Sequence, residues 1–579
     1  MTSRPEPKAA DPVPLISFLP LPLNQQPRSS VHSPQRPSRR SLVMSSAALA
    51  PGAVSRPAIN PWFVAVAVVV PTFMEILDTT IATASMRYIA GGLSATMNDS
   101  DWVMTSYLAA NATILPMTGW LSARMGRRRY FLLSIAIFTV ASVLCGLATS
   151  LEQLILWRVI QGVAGGGLQP ASQAILLDGF PPEKQGTAMT MFGVAGLTAP
   201  VIGPTLGGYI TVNYNWRWIF LINLPIGLLG YLMCHFAVED PEYLKRERAE
   251  LKKKPLNFDY IGLGLLVLVM SSWEILLSKG QEWDWYNDPF WHAQTLAVLF
   301  VLGLGLLIFR ELRIANPVVN FRPMAERNLA ACSVIIFCAY GVLYGASVIL
   351  PSLLQSLFGY DAFVSGLVMS PSGVFSILVM LVVGVLVGRG TDARWLIAGG
   401  LLVMAAGCYW MARMNLYISP GQVVWPRVVL ICGLSMLFAP INVAAFRYTP
   451  QHLRGAAVGL FALLRNEGGS VGMSIGKIIE QRREQLHLAR VGEDLGPLNS
   501  HVQSFFNQGQ AFFMQRTGDP ARSQQMTLQT LDNLRQQQAA SLAFFDVFWL
   551  FAVVSLGLVL LVFLMKRSVA EPGELIGGE

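Results

Sequence analysis

The chain has 579 residues, of which 53% are hydrophobic and 13% charged, with a formal net charge of +8. Soluble chains carry about 25% charged residues, so this composition excludes a disordered protein and an ordinary soluble one. The positive charge does not call for nucleic acid, because the basic residues gather in short loops between apolar runs, where they set membrane orientation.

Residues 1–61 are rich in Pro, Ser and Arg, as in SPQRPSRRS, and are expected to form a disordered cytoplasmic tail. They hold no continuous apolar stretch ending at a small-residue cleavage site, so no signal peptide is expected. Met44 is a second candidate start, which would leave only a short polar tail.

Apolar spans then recur at 62–85, 103–122, 130–150, 153–176, 187–211, 217–238, 258–279, 290–310, 328–350, 363–388, 395–413, 424–446, 453–476 and 543–565. Each is long enough to cross a bilayer as a helix, so the expected class is an all-α polytopic membrane protein with fourteen transmembrane helices. The loops alternate in charge. SARMGRRR follows the second span, and six basic residues lie between Lys245 and Lys254 after the sixth. GQEWDWYND, FGYDAF and YISPGQ on the other side are poor in Lys and Arg. The positive-inside rule places the basic loops and both termini in the cytoplasm.

A faint repeat supports two halves. GWLSARMGRRR after the second span is echoed by GVLVGRGTDAR after the tenth. Repeated halves are how many secondary transporters are built, with the substrate site between them near the midplane. The expected domains are a six-helix half at 62–240, a basic cytoplasmic loop at 241–256 and two inserted helices at 257–310. A second six-helix half follows at 327–566, and a cytoplasmic tail at 567–579. Within the second half, 477–540 is expected to be a partly helical extracytoplasmic segment, with helix-like stretches at HVQSFFNQGQAFFMQ and TLQTLDNLRQQQAA.

The polar residues inside the spans are the candidate site. The first span reads PTFMEILDTTIATAS, with Glu75 and Asp78 on one helical face. A charge at the centre of a membrane helix costs about 2.5–3.5 kcal/mol, so such residues face a cavity or a partner. Arg158, Gln161, Gly165, Gln169 and Gln173 form a stripe on the fourth span. At a helical rise of about 1.5 Å per residue, Asp78 lies roughly 10 Å from the outer end of its span and Arg158 roughly 8 Å from its own. The matching depths pair Asp78 with Arg158 and leave Glu75 for reversible protonation. Burial favours the neutral carboxyl and a nearby cation favours the charged one. Glu467, in the middle of the thirteenth span, is a further candidate, and Asn111 lies in the second. The six cysteines make no CxxC pair and read as packed thiols, and the six histidines lack metal spacing. VGMSIGKI fails as a phosphate loop, since no Ser or Thr follows Lys477. No ATPase or catalytic triad is expected, and no metal.

These motifs together resemble the major facilitator superfamily, and within it the EmrB/QacA-type fourteen-span drug:proton antiporters. The resemblance runs from about Trp62 to Arg567. Gly119, Arg124, Gly126, Arg127 and Arg128 match the gating-loop signature, with Ala123 where an aspartate is usual. Gly193, Gly196, Pro200, Gly203, Pro204, Gly207 and Gly208 match the antiporter motif of the fifth span. LLRNEGGSVG resembles the thirteenth-span motif, and in the first span Thr83 and Arg87 replace the usual asparagine and proline.

The resemblance implies proton-coupled efflux of hydrophobic or cationic drugs by alternating access, from the bacterial inner membrane, driven by the proton gradient with no cofactor. It also points to Asp78, rather than Glu75, as the more characteristic acid. Its implied partners are the lipid bilayer, protons, a drug-like small molecule, and a periplasmic adaptor with an outer-membrane channel. An endogenous metabolite, siderophore or fatty acid as cargo stays open, as does a non-transporting sensor.

Overall fold

The computed structural model describes residues 60–180, 182–240, 244–245, 248–249, 259–314, 317–416, 419–450, 453–493, 495–496 and 499–567. The expected tails up to residue 59 and from residue 568, with most of the basic loop 241–256, lie outside the described residues.

Every expected span is helical. The helices are α1 (Pro61–Ala84), α2 (Trp102–Ile114 and Thr118–Met125), α3 (Arg127–Leu147), α4 (Leu151–Gly165 and Leu168–Gly179), α5 (Pro182–Asn213) and α6 (Trp218–Leu221 and Asn223–Ala237). The inserted pair is α7 (Tyr260–Lys279) and α8 (His292–Arg313). Then come α9 (Arg327–Ser356), α10 (Ala362–Met369 and Pro371–Gly388), α11 (Ala393–Ala412), α12 (Pro420–Phe446), α13 (Arg454–Glu493) and α14 (Pro520–Val562). Local chemistry sets many starts. The side chains of Asn60, Ser150, Asp259, Asp361, Asp392 and Asp519 cap α1, α4, α7, α10, α11 and α14 by accepting first-turn N–H groups.

Eleven of the described helices are long and apolar enough to cross a membrane. The spans expected at 103–122, 153–176 and 453–476 are not among them. α2 is interrupted by a tight turn at Leu115–Met117 that carries Pro116, and α4 by Gly166 and Gly167. α13 carries Arg454, Arg465 and Glu467. These are interior helices: α2 packs on α4, and α13 packs on α9, α14 and the turn in α2. Their polar residues meet protein, which is how a bilayer tolerates them. The break in α4 corrects the expectation of one continuous polar stripe from Arg158 to Gln173.

The two six-helix groups meet along two seams. In the first, α5 runs against α10, with Gly366 facing Thr205 at one end and Gly384 facing Thr190 at the other. In the second, the turn and second piece of α2 meet α13, where Gly119 faces Gly455. The inserted helix α7 packs on α8, on α2 and on α13, so it touches both groups. α8 buries only Ala293, Gly303, Leu307 and Glu311 and leaves Val301, Leu302 and Leu306 exposed, the pattern of a lipid-facing helix.

The echoed loop motif has a structural basis. Gly126 and Gly390 both take positive φ, 90° and 82°, where the chain turns from one helix to the next. A side chain is strained in that region, so glycine recurs at both turns.

The segment expected at 477–540 is more helical than its sequence suggested. α13 has 40 residues and α14 has 43. At about 1.5 Å per residue they are roughly 60 and 65 Å long, against a hydrocarbon core of about 30 Å. Both therefore project well beyond it, and the helix Ser500–Thr517 packs on α14. Lys477 lies 3.9 Å from Asp101, so this projection rises on the side of the α1–α2 loop, opposite the arginine-rich turn beside Gly455.

One buried cation stands out in α12. Arg427 is fully buried and donates from Nη2 to Ser347 Oγ at 2.7 Å, while Nε and Nη1 have no partner among the described residues. A buried charge with incomplete pairing is costly, and replacing such groups with apolar residues of similar volume often stabilises by about 1–4 kcal/mol. Arg427→Met is therefore expected to raise the thermal midpoint of the purified protein. A midpoint equal to or below wild type would show that the guanidinium is compensated.

Candidate functional site

Asp78 of α1 and Arg158 of α4 form a buried ion pair, Arg158 Nη1 to Asp78 Oδ2 at 2.6 Å. Asp78 Oδ1 also accepts from Gln161 Nε2 at 3.1 Å and from Asn223 Nδ2 at 2.6 Å. Arg158 Nε donates to the Val103 carbonyl at 3.2 Å, and its guanidinium lies 4.3 Å from the centre of the Tyr107 ring. The pair thus ties α1, α2, α4 and α6 together, with every guanidinium nitrogen engaged once Nη2 meets Met104 Sδ at 3.6 Å. Good geometry and full hydrogen bonding are what a buried pair needs to offset its desolvation.

Glu75, one turn away, is held differently. Oε1 accepts from Tyr107 Oη and from Asn111 Nδ2, each at 3.2 Å, and Oε2 accepts from Gln169 Nε2 at 2.6 Å. Among the described residues, no cation touches it directly. Gln169 is the link to the other half: its Oε1 accepts from Arg465 Nη2 of α13. Glu75 lines a small cavity between the halves, together with Tyr107, Asn111, Gln169, Tyr344, Glu274 and Glu467. Asp78 does not.

Glu467 sits on the cavity wall in α13, and beside it is Glu274 from the inserted helix α7. Sequence reasoning missed Glu274, although its signal matched that of Glu75: a lone acid inside LVLVMSSWEILL. Asn223 and Tyr107 were also missed. Each belongs to the site only because a helix distant in sequence carries Asp78 or Glu75 to it. The glutamines divide their work. Gln161 serves the ion pair and Gln169 serves Glu75, while Gln173 donates to Asn442 of α12 at 2.9 Å and joins the halves.

The arginine-rich turn lies apart from the cavity. Arg127 Nη1 pairs with Asp178 at the end of α4 and donates to the Ala174 carbonyl at 3.3 Å. Arg128 Nη2 donates to the His235 carbonyl in the last turn of α6 at 2.6 Å, and its backbone N–H donates to Asp240 Oδ1 at 2.8 Å. Cations at helix C-termini are favoured by the carbonyl dipoles. Arg124 is half-buried on the last turn of α2. Asp178 and Asp240 supply acids beside a loop that has Ala123 in its own acid position.

The glycines of α5 mark its close approaches. A methyl at Gly203 would sit 2.1 Å from Thr80 Oγ1 and one at Gly207 2.9 Å from the Ile81 carbonyl oxygen, both on α1. One at Gly193 would sit 2.4 Å from Met380 of α10 and from Phe438 of α12. Gly196 is looser, with its nearest neighbour at 3.9 Å. Pro200 and Pro204 lie inside the helix, and the carbonyl of buried Gly208 accepts from Thr211 at 3.2 Å. The first-span departures are small: Thr83 Oγ1 bonds back to the Thr79 carbonyl, and the chain, lacking a proline at Arg87, re-enters a short helix at Met86–Gly92.

The profile of the Major Facilitator Superfamily matches residues 68–473. The chain belongs to the Major Facilitator Superfamily. It is 36% identical over 497 residues to the multidrug export protein EmrB of Haemophilus influenzae, covering 86% of this chain and 94% of that one. It is 34% identical over 510 residues to EmrB of Escherichia coli K12, covering 88% and 96%. It is also 33% identical over 432 residues to the fatty acid resistance protein FarB of Neisseria gonorrhoeae, covering 74% and 82%. Within the superfamily it is thus a transporter of the EmrB type, a multi-pass membrane protein. Among solved structures, the proton:xylose symporter XylE is similar in fold, with a TM-score of 0.54 at 13% identity over 87% of this chain and 95% of that one.

Proposed function

We propose that this superfamily member exports hydrophobic or cationic compounds across the bacterial inner membrane in exchange for protons, with both termini in the cytoplasm. The carrying observation is Glu75: a buried carboxylate on a cavity between the two halves, held by three neutral donors rather than a cation. Such a group can gain and lose a proton without dismantling an ion pair. The proton gradient alone supplies the energy, and no cofactor takes part.

Gln169 gives this proton a mechanical consequence. Its amide N–H donates to Glu75 while its carbonyl accepts from Arg465. Arginine is a donor only. A protonated Glu75 that donates to Gln169 calls for the opposite amide orientation, which turns an N–H toward Arg465 and breaks the link to α13. When the acid proton is donated to Gln169, loading Glu75 loosens one tie between the halves, and unloading restores it. Asp78, locked by Arg158, Gln161 and Asn223, braces the N-terminal half throughout.

Cationic or neutral cargo fits the cavity better than an anion, because its lining holds Glu75, Glu274 and Glu467. This disfavours a fatty-acid cargo of the kind named for FarB. An adaptor and an outer-membrane channel complete the proposed export path. The projection of α13, Ser500–Thr517 and α14 is the natural docking element, and it exposes Phe512, Leu528 and Leu534.

The test uses the full chain in vesicles with a preset pH gradient and a pH dye inside. Adding tetraphenylphosphonium, a lipophilic cation, is expected to start sustained proton movement that a protein-free vesicle lacks. A single stoichiometric pulse without sustained flux would instead mark a sensor.

A further inference from the structure

The inserted helices are usually easiest to regard as spacers between halves, yet α7 brings Glu274 into the central cavity beside Glu467 of α13. Both side chains are buried, with Glu467 only 6% exposed, and neither Glu467 oxygen has a hydrogen-bond partner among the described residues. The neutral polar neighbours are Trp273 and Ser470.

Among the described residues, no cation pairs with Glu274 or Glu467. Arg465 is two residues from Glu467, points off another face of α13, and is engaged with Gln169. Glu75 of α1, Tyr107 of α2 and Tyr344 of α9 are the other titratable groups on this cavity. The remaining charged groups of the packed elements lie elsewhere. Asp101 of α2 stands at the outer end with Lys477, and Lys279 pairs with Glu282 there. Arg310 and Glu311 of α8 sit with Asp259 and Val319 at the opposite end of α7. Asp546 of α14 pairs with His487 and Arg483 on the projection.

Two carboxylates on the wall of one small buried cavity repel when both are ionised, and two neutral acids forgo the strong bond that a shared proton makes. We propose that Glu274 and Glu467 form a second proton site, built jointly by the inserted helix and α13, which holds one shared proton and is separate from Glu75. One proton between them supplies a hydrogen bond from one carboxyl to the other. The inserted pair then contributes directly to proton handling, and one half of the carrier holds its proton on α1 while the other holds its own on α13. This extends the proton-exchange reading of Glu75, but its test requires no transport.

The full-length protein in lipid vesicles at neutral pH is measured by infrared absorption of protonated carboxyl groups, scaled to the acid-quenched protein in which all carboxyls are protonated. Glu274→Gln/Glu467→Gln is expected to lose the area of one carboxylic acid relative to wild type, and Glu75→Gln is expected to leave that band in place. Loss of no band, or loss of two, would overturn the shared proton. So would disappearance of the same band in Glu75→Gln. Should the double glutamine variant fail to fold, Glu274→Asp/Glu467→Asp keeps both carboxyls and is expected to shift the band, and an unshifted band would equally reject the assignment. Failure of the efflux reading would appear only in the vesicle flux, so the two outcomes stay separate.

Discussion

Glu75→Gln is expected to abolish proton-coupled export while leaving the protein folded. Glutamine has nearly the shape of a protonated glutamate and cannot release the proton. A hydrogen bond to a charged group contributes about 1.5–3 kcal/mol, so losing the ionised state removes at least one such term from the difference between loaded and unloaded forms. That is a shift of about tenfold to a hundredfold in their populations. Vesicle export of tetraphenylphosphonium driven by a pH gradient should fall to near background at matched protein levels. The thermal midpoint should stay close to wild type, because the variant leaves no buried charge unpaired. Normal coupled export by this variant would remove Glu75 from the mechanism.

Arg158→Met is expected to have the largest effect on stability. It strands Asp78 in a buried site where, among the described residues, Gln161 and Asn223 remain as donors. Removing one partner of a buried pair costs about 3–5 kcal/mol, a large part of a typical folding free energy. Asp78→Asn should be similarly harmful, since it leaves the guanidinium without its counter-charge. The combination Asp78→Asn/Arg158→Met should recover part of the loss, because neither charge then remains. Thermal unfolding of the detergent-purified proteins measures this cycle. Additive losses in the double variant would mean that the two residues act independently, against the 2.6 Å contact. The contrast between the variants separates the acids: Glu75 is read in transport, Asp78 in folding.

The fold was largely legible. Hydropathy placed a helix at every expected span, eleven of them long and apolar enough to cross a membrane, because a bilayer forces its backbone into helices. The Asp78–Arg158 pairing was also legible, since antiparallel spans of known direction convert sequence number into depth. The breaks in α2 and α4 were less so. Pro116 and the glycines at 165–167 were visible, but a glycine-rich stretch reads equally as close packing or as an interruption. The projection of α13 and α14 was underestimated, because a polar helix outside the membrane lacks the apolar signal that marks a span.

The sequence by itself determined the class, the order of the helical spans and the family resemblance, and it singled out the acids that are costly in lipid. Only the tertiary structure decided how those acids divide. Asp78 lies among a cation and two amides, and Glu75 among neutral donors on a cavity. Glu467 stands beside Glu274, an acid from an inserted helix nearly two hundred positions away in the chain. Depth follows from the one-dimensional count of residues along a helix. Which helix stands opposite at that depth depends on packing between distant segments, and that choice determines whether a buried carboxylate meets a cation, as Asp78 does, or neutral donors, as Glu75 does.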